Sequence, residues 1–259
     1  MTKVNEKMKS ERLGKEFVIK GWRCVITDYR SSTDLTVTWQ DGTTTDTTWD
    51  YVCSGTIAPP LMPSVVGIGI NDLKRTSLER DPAYQKWVSM IKRSYCPKYH
   101  KNKPTYKDVE VCEEWKTYSN FLAWALQYGD VSELQLDKDF IGDGKLYSPE
   151  NCMFIPHYLN SFLVKSSRVP TFTWKERINK YEVAVSKRIL GLGTTMAYEG
   201  VYSTLEEATK AYWIAKKKLL VDILETMYKK DILFNQAVYD KIMNSKWITQ
   251  ENPLQPVQF

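Results

Sequence analysis

The sequence is poor in the residues that most metal and redox chemistry relies on. It holds only 2 histidines in 259 residues, His100 and His157, which excludes any site built from three histidines. Its 5 cysteines (Cys24, Cys53, Cys96, Cys112 and Cys152) are scattered, odd in number and contain no C-x-x-C pair. That argues against a disulfide framework or a cysteine zinc site, and for a reducing, cytoplasmic compartment. No apolar run approaches the roughly 20 residues of a membrane-spanning helix. The opening Met-Thr-Lys-Val-Asn-Glu-Lys lacks the apolar core of a secretory signal. Neither a membrane nor a small-molecule cofactor is an expected partner.

What is present is aromatic: 9 Trp, 16 Tyr and 8 Phe, within a hydrophobic content of 42% and a charged content of 26%. Those proportions are those of a folded globular chain rather than a disordered one. The net charge of +5 is unevenly spread. Residues 1–70 carry 8 basic and 8 acidic groups, residues 71–165 carry 14 and 13, and residues 166–259 carry 14 and 10. The excess sits in the last third, which suits a polyanionic partner without requiring one, since a lysine-rich helix face is often simply solvated.

Texture divides the chain into three. Residues 16–52 alternate β-branched and aromatic residues with turn signals, Asp41-Gly42 being a hairpin dipeptide, and read as three to five short antiparallel strands. Pro59, Pro60 and Pro63, followed by Gly67 and Gly69, mark a linker. Asp81-Pro82 then starts a helix with Tyr84, Trp87 and Ile91 on one face, ending near Pro97. A second helix carries Trp115, Tyr118, Leu122 and Ala125 and stops at Gly129. Residues 134–165 read as strand, loop, strand and short helix. In the last third, residues 171–188 and 197–203 read as three strands, and Thr204-Leu205-Glu206-Glu207 is a capping box. The helix it opens places Leu205, Ala208, Tyr212, Ala215, Leu219 and Ile223 on one stripe.

Two stretches are more specific. Leu136-Asp137-Lys138-Asp139, a glycine-containing loop, Tyr147-Ser148-Pro149-Glu150-Asn151-Cys152 and then Leu159-Asn160 follow the Trp87-x-x-Met90-x-x-Arg93 and Trp115 helices. Together, over about residues 81–165, they resemble the HNH-type (ββα-metal) endonuclease-like proteins common in bacteriophages. The resemblance implies phosphodiester hydrolysis with one divalent metal, Mg²⁺ or Mn²⁺, held by oxygen ligands from Asp137 and Asn160. It also implies that Asn151 pins the loop between the strands. The position of the family's catalytic histidine is Lys138 here, so the catalytic set reads Asp137 and Lys138. An amine serves as a base near neutrality only when its pKa is strongly depressed. His157, after the second strand, is the remaining base or else a surface turn residue.

The second stretch runs from Trp174 to Lys218. Lys180-Tyr181-x-Val183-x-Val185 and Gly200-Val201-Tyr202-Ser203-Thr204-x-Glu206-Glu207-Ala208-x-x-Ala211-Tyr212 resemble the plant ethylene-response-factor-type DNA-binding domain. That resemblance implies a three-stranded sheet lying in the major groove, backed by the helix. The implied DNA-facing positions are Thr173, Lys175, Ala184, Ser186 and Tyr198, with Arg177, Lys187 and Arg188 at phosphates. Few arginines stand there, so weak sequence specificity is expected. Trp174, Tyr181, Tyr202 and Tyr212 are placed like core between sheet and helix.

The expected fold class is thus α+β and multidomain. A small Tudor-like β barrel spans 1–58 and a linker 59–80. A helical plus ββα-metal domain spans 81–168, and a sheet-plus-helix DNA-binding domain with a tail spans 169–259. The expected function is that of a phage-type double-stranded-DNA-binding protein of HNH ancestry, a metal-dependent nicking endonuclease with a degenerate centre. The alternative is an inactive DNA- or host-factor-binding regulator, with the barrel as a protein-binding surface. The setting is cytoplasmic, that of an infected host cell for a phage-encoded protein.

Overall fold

Apolar side chains alternating along Asp34–Trp39 put Leu35, Val37 and Trp39 on one buried face of a sheet. The computed structural model describes residues 6–73, 81–142, 144–163, 172–189 and 193–249; the side chains of 186–189, 193–199 and 246–247 fall outside that description. The chain divides into two units, Met1–Thr76 with Lys116–Asn120, and Ser77–Trp115 with Phe121–Phe259. The protein is mixed α and β, with several small sheets.

In the first unit, helix α1 (Glu6–Arg12) precedes strands β1 (Glu16–Ile19), β2 (Trp22–Ser31), β3 (Asp34–Trp39) and β4 (Thr44–Thr47), and α2 (Trp49–Cys53) follows. The strands form an antiparallel meander in the order β1-β2-β3-β4. Asp41-Gly42 makes the β3–β4 turn: Gly42 takes a φ of +81°, and its N–H donates to the Trp39 carbonyl at 2.9 Å. Ile19, Cys24, Ile26, Tyr29, Val52 and Ile57 complete the core on one face.

The expected barrel is corrected here. Among the described residues the sheet stays open, with β1 and β4 as its edges. The reason is local. Thr48 caps a helix, its hydroxyl accepting from the Tyr51 N–H at 3.3 Å, so α2 begins where closure needs another strand.

The second unit opens on α3 (Pro82–Tyr95), where Asp81 accepts from the Ala83 N–H at 2.9 Å with Pro82 in the first turn. Trp87, Met90 and Ile91 are buried. Next come α4 (Pro97–Asn102), β5 (Glu110–Val111), α5 (Tyr118–Ala125), β6 (Leu134–Asp137), β7 (Leu146–Tyr147), β8 (Met153–Pro156) and α6 (His157–Leu163). β6 and β8 pair antiparallel, Asp137 opposite Met153, and the chain passes from β8 straight into α6. Trp115, Phe121, Trp124 and Phe154 stack into an aromatic cluster beneath them.

A three-stranded sheet follows: β9 (Phe172–Lys175), β10 (Lys180–Ile189) and β11 (Gly193–Tyr202), in the order β11-β10-β9. Then come α7 (Leu205–Thr226), α8 (Gln236–Met243) and α9 (Lys246–Thr249). The capping box forms in full, Thr204 accepting from the Glu207 N–H and Glu207 from the Thr204 N–H. Ala208, Tyr212, Ala215, Leu219 and Ile223 are buried as the stripe predicts, whereas Leu205 is exposed. Val183 and Val185 of β10 and the α7 stripe share one hydrophobic cluster with Met153, Ile155 and Leu159 of β8 and α6. α8 joins that cluster through Val238 and Ile242. Lys241 on α8 donates to the carbonyls of Pro149 and Cys152 at 3.3 and 3.2 Å. Among the described residues no helix is long and apolar enough to cross a membrane.

Candidate functional site

Asp137 ends β6 with its side chain buried, 4% exposed, on the strand side opposite Leu136. Its carboxylate accepts from the Phe140 N–H at 3.0 Å, an Asx-type turn that starts the loop toward β7. Burial pushes its pKa up to about 6, against the pull of that N–H. A carboxyl shifted toward neutrality in this way is common at functional sites.

Lys138 is also buried. Its ammonium donates to Asp139 at 2.5 Å and lies 5.1 Å from the Tyr106 ring centre and 5.6 Å from that of Tyr147. A cation between a carboxylate and two ring faces is held by electrostatics. At the position where the resemblance sets a catalytic histidine, the chain carries a structural cation.

Asn151 holds the loop from both sides. Its amide donates to the Leu146 carbonyl at 3.4 Å, and its N–H donates to the Ser148 hydroxyl at 3.3 Å. Gly142 packs against it: a Cβ there would stand 2.8 Å from Asn151 Cβ and 2.9 Å from the Lys138 carbonyl oxygen, so only glycine fits.

Asn160, on α6, donates to Gln135 Oε1, while Gln135 Nε2 meets Nδ1 of the exposed His157 at 2.7 Å. β6 and α6 are thereby tied by a chain of three polar side chains. Asn160 Oδ1 is buried without a hydrogen-bond partner.

Asn160 lines a cavity of about 260 Å³. Lys86, Ser89 and Arg93, spaced three and four apart on one face of α3, form one wall. Gln135, Tyr147 and Asn160 form another, over an apolar floor. No carboxylate lines it among the described residues. Burial, then the neighbouring Arg93, lowers the pKa of Lys86, with exposed Glu133 opposing. The Arg93 guanidinium bonds the Tyr147 hydroxyl, and burial holds that phenol above its ordinary range.

This arrangement bears on the metal that the resemblance implies. Asn160 offers a partnerless oxygen, which suits a cation. Asp137 does not line the same cavity, and the two charges that do are Lys86 and Arg93. A divalent cation wants several oxygen ligands with compensating negative charge, and this lining supplies the opposite sign. The residues around Asn160 do not fit a divalent ion.

The implied DNA face is only partly described. Thr173 and Arg177 are exposed and Lys175 half-buried, its ammonium 2.8 Å from Glu182 on the neighbouring strand. Ala184 is half-buried. The backbones of Ser186, Lys187 and Arg188 pair with Met196, Thr195 and Thr194, and Tyr198 pairs with Val185; their side chains lie outside the described residues. Trp174 is 42% exposed, beside Tyr181 at 4.7 Å between ring centres.

The sequence reading brought Asp137, Lys138, Asn151 and Asn160 to one strand–loop–helix region, and the structure places them there. Arg93 and Tyr147 stand in the motifs of the HNH-type resemblance without an assigned role, and Lys86 and Gln135 were missed. The available signal was the Lys86-x-x-Ser89-x-x-x-Arg93 spacing, which sets three polar residues beside the apolar face of α3. Compared with known protein families, curated proteins and solved structures, the chain finds no match in any of the three.

Proposed function

We propose that the protein binds double-stranded DNA through the β9–β11 sheet, and that its HNH-like centre is a structural remnant without hydrolytic activity. The observation that carries the binding half is the sheet's division of labour. One face packs on α7 through Val183 and Val185. The opposite register positions, Thr173 and Lys175 of β9, are open or half-open, with exposed Arg177 in the turn beyond. An uncovered sheet face bearing cations, in the segment that carries the basic excess, suits phosphate contacts and weak base reading. On this reading the finer layout follows the two resemblances: a ββα module over β6, β8 and α6, and a sheet-plus-helix DNA binder over β9–α7.

The inactive half rests on Lys138, whose ammonium is committed to Asp139 and two rings. Hydrolysis needs a group placed to take a proton from water, and this residue is not so placed. The experiment is fluorescence anisotropy with a labelled duplex across a salt series, beside nicking of supercoiled DNA with Mg²⁺ or Mn²⁺. The expected result is salt-sensitive binding that survives EDTA and is weakened by Arg177→Ala, with no nicking. Binding indifferent to salt and to Arg177→Ala overturns the DNA reading. Nicking that disappears in Asp137→Ala overturns the loss of activity.

A further inference from the structure

The cavity between α3, β6 and α6 has a use apart from the sheet. Lys86 and Arg93 are half-buried and line one small space that no carboxylate lines among the described residues, the charge of exposed Glu133 only partly offsetting their repulsion at Lys86. Two like charges in one partly dry cavity repel each other and are poorly solvated. Such an arrangement is tolerated where a ligand of opposite charge completes it. Ser89 adds a hydroxyl, and the Tyr147 phenol orients the Arg93 guanidinium, whose fork suits a phosphoryl group.

Asn160 closes the wall rather than reading the ligand: its amide donates to Gln135, which meets His157 on its other side, and its Oδ1 is buried away from the open space. The charged lining therefore selects a phosphoryl group and leaves open what that group is attached to. The volume, about 260 Å³, lies just below the roughly 300–1,000 Å³ of common small-ligand sites, so it admits one phosphoryl group and a sugar-sized body.

We propose that this cavity binds the phosphoryl group of a phosphate monoester, with Lys86, Ser89 and Arg93 on its oxygens. The source is a free sugar phosphate or the phosphorylated end of an RNA strand. The site is separate from the duplex-binding sheet and does not depend on it.

The test is calorimetric titration of the full chain with ribose 5-phosphate, inorganic phosphate, ribose, and a short RNA strand with and without a 5′-phosphate. Saturable binding of ribose 5-phosphate is expected, competed by phosphate and not by ribose. Losing one hydrogen bond to the charged group should weaken it about tenfold or more in Lys86→Gln and in Arg93→Gln. Binding of the phosphorylated strand alone assigns the RNA source, and binding of the sugar phosphate alone the free one. Lys86→Gln removes a half-buried, repelled charge, so it should fold at least as well as the parent; Arg93→Lys replaces Arg93→Gln if loss of the Tyr147 bond unfolds the latter. No binding of any phosphate, or binding unchanged in Lys86→Gln, overturns the inference. Loss of duplex binding in Lys86→Gln overturns the separateness of the site, whereas a failed duplex assay with intact sugar-phosphate binding counts only against the sheet.

Discussion

Lys138 donates to its own sequence neighbour, Asp139, at 2.5 Å, although the lysine is buried and the aspartate is half open to water. An adjacent pair gains little from such a bridge when one partner is solvated. The lysine's placement therefore depends more on its stem and on the rings of Tyr106 and Tyr147. Lys138→Ala is expected to cost about 2 kcal/mol, from lost packing and two cation–π contacts, and Asp139→Asn well under 1 kcal/mol. Urea unfolding of the two variants checks the order; equal losses would make the ion pair the dominant contact.

Asp137 gives the fold a pH dependence of definite sign. Its carboxyl titrates at about 6 in the fold, above the ordinary carboxylate range. Between about pH 4 and pH 6 the folded chain keeps a proton that the unfolded chain has released. This group's stabilisation is therefore complete below about pH 4 and is lost as pH rises through 6, by at most about 3 kcal/mol. Asp137→Asn, which can still accept from the Phe140 N–H, should remove that slope and raise stability at pH 7. Urea midpoints for both proteins across pH 4 to 8 decide it, and an unchanged slope would assign the dependence to other groups.

Glu182 meets Lys175 at 2.8 Å on the outer sheet face, and on the proposed reading it competes with phosphate for that lysine. Glu182→Gln should raise duplex affinity severalfold and steepen the salt dependence by about one unit, since one more lysine becomes free to displace a counterion. Lys175→Ala should weaken binding less than Arg177→Ala does. Anisotropy at two salt concentrations measures all three; no gain in Glu182→Gln would place Lys175 outside the contact.

Ile242 of α8 is fully buried in the cluster that also holds Met153 and Leu159. Ile242→Ala should cost about 2–5 kcal/mol, the range for deleting a large buried aliphatic. Thermal unfolding followed by circular dichroism reads the loss. A change below about 1 kcal/mol would mean that α8 contributes little to this core.

Local rules made much of this fold legible. Asp81-Pro82 opens α3, Thr204 to Glu207 close the capping box, and Asp41-Gly42 turns the β3–β4 hairpin, each because a few adjacent residues satisfy backbone groups by themselves. In α5 the buried face was only partly foreseen: Tyr118 and Ala125 are buried, but Phe121 and Trp124 fill the core where Leu122 was expected. Helical spacing there allows two overlapping faces, and tertiary packing chooses between them. Barrel closure failed as an expectation because it depends on the element after β4, where Thr48 favours a helix. The candidate site was half legible. Asp137, Lys138, Asn151 and Asn160 lie close in sequence, whereas Lys86 and Arg93 reach the same region from a helix some 50 residues upstream; their spacing marks a polar flank on that helix but not what the flank meets.

The hydrophobic cluster common to β8, α6, the β9–β10 strands, α7 and α8 also sets how this chain can be divided. Two segments with different chemistry, one resembling a nuclease centre and one a DNA reader, meet in that cluster, although the first also keeps the aromatic core of Trp115, Phe121, Trp124 and Phe154. Severed between α6 and β9, each would present Met153, Ile155 and Leu159, or Val183, Val185 and Leu219, to water. They are expected to melt as one, and the β9–α7 segment should not be transplantable without the β8–α6 segment that shares its cluster. On the proposed reading, the nuclease-like segment is kept as the other half of a scaffold, and its removal is expected to show first as loss of the sheet's binding.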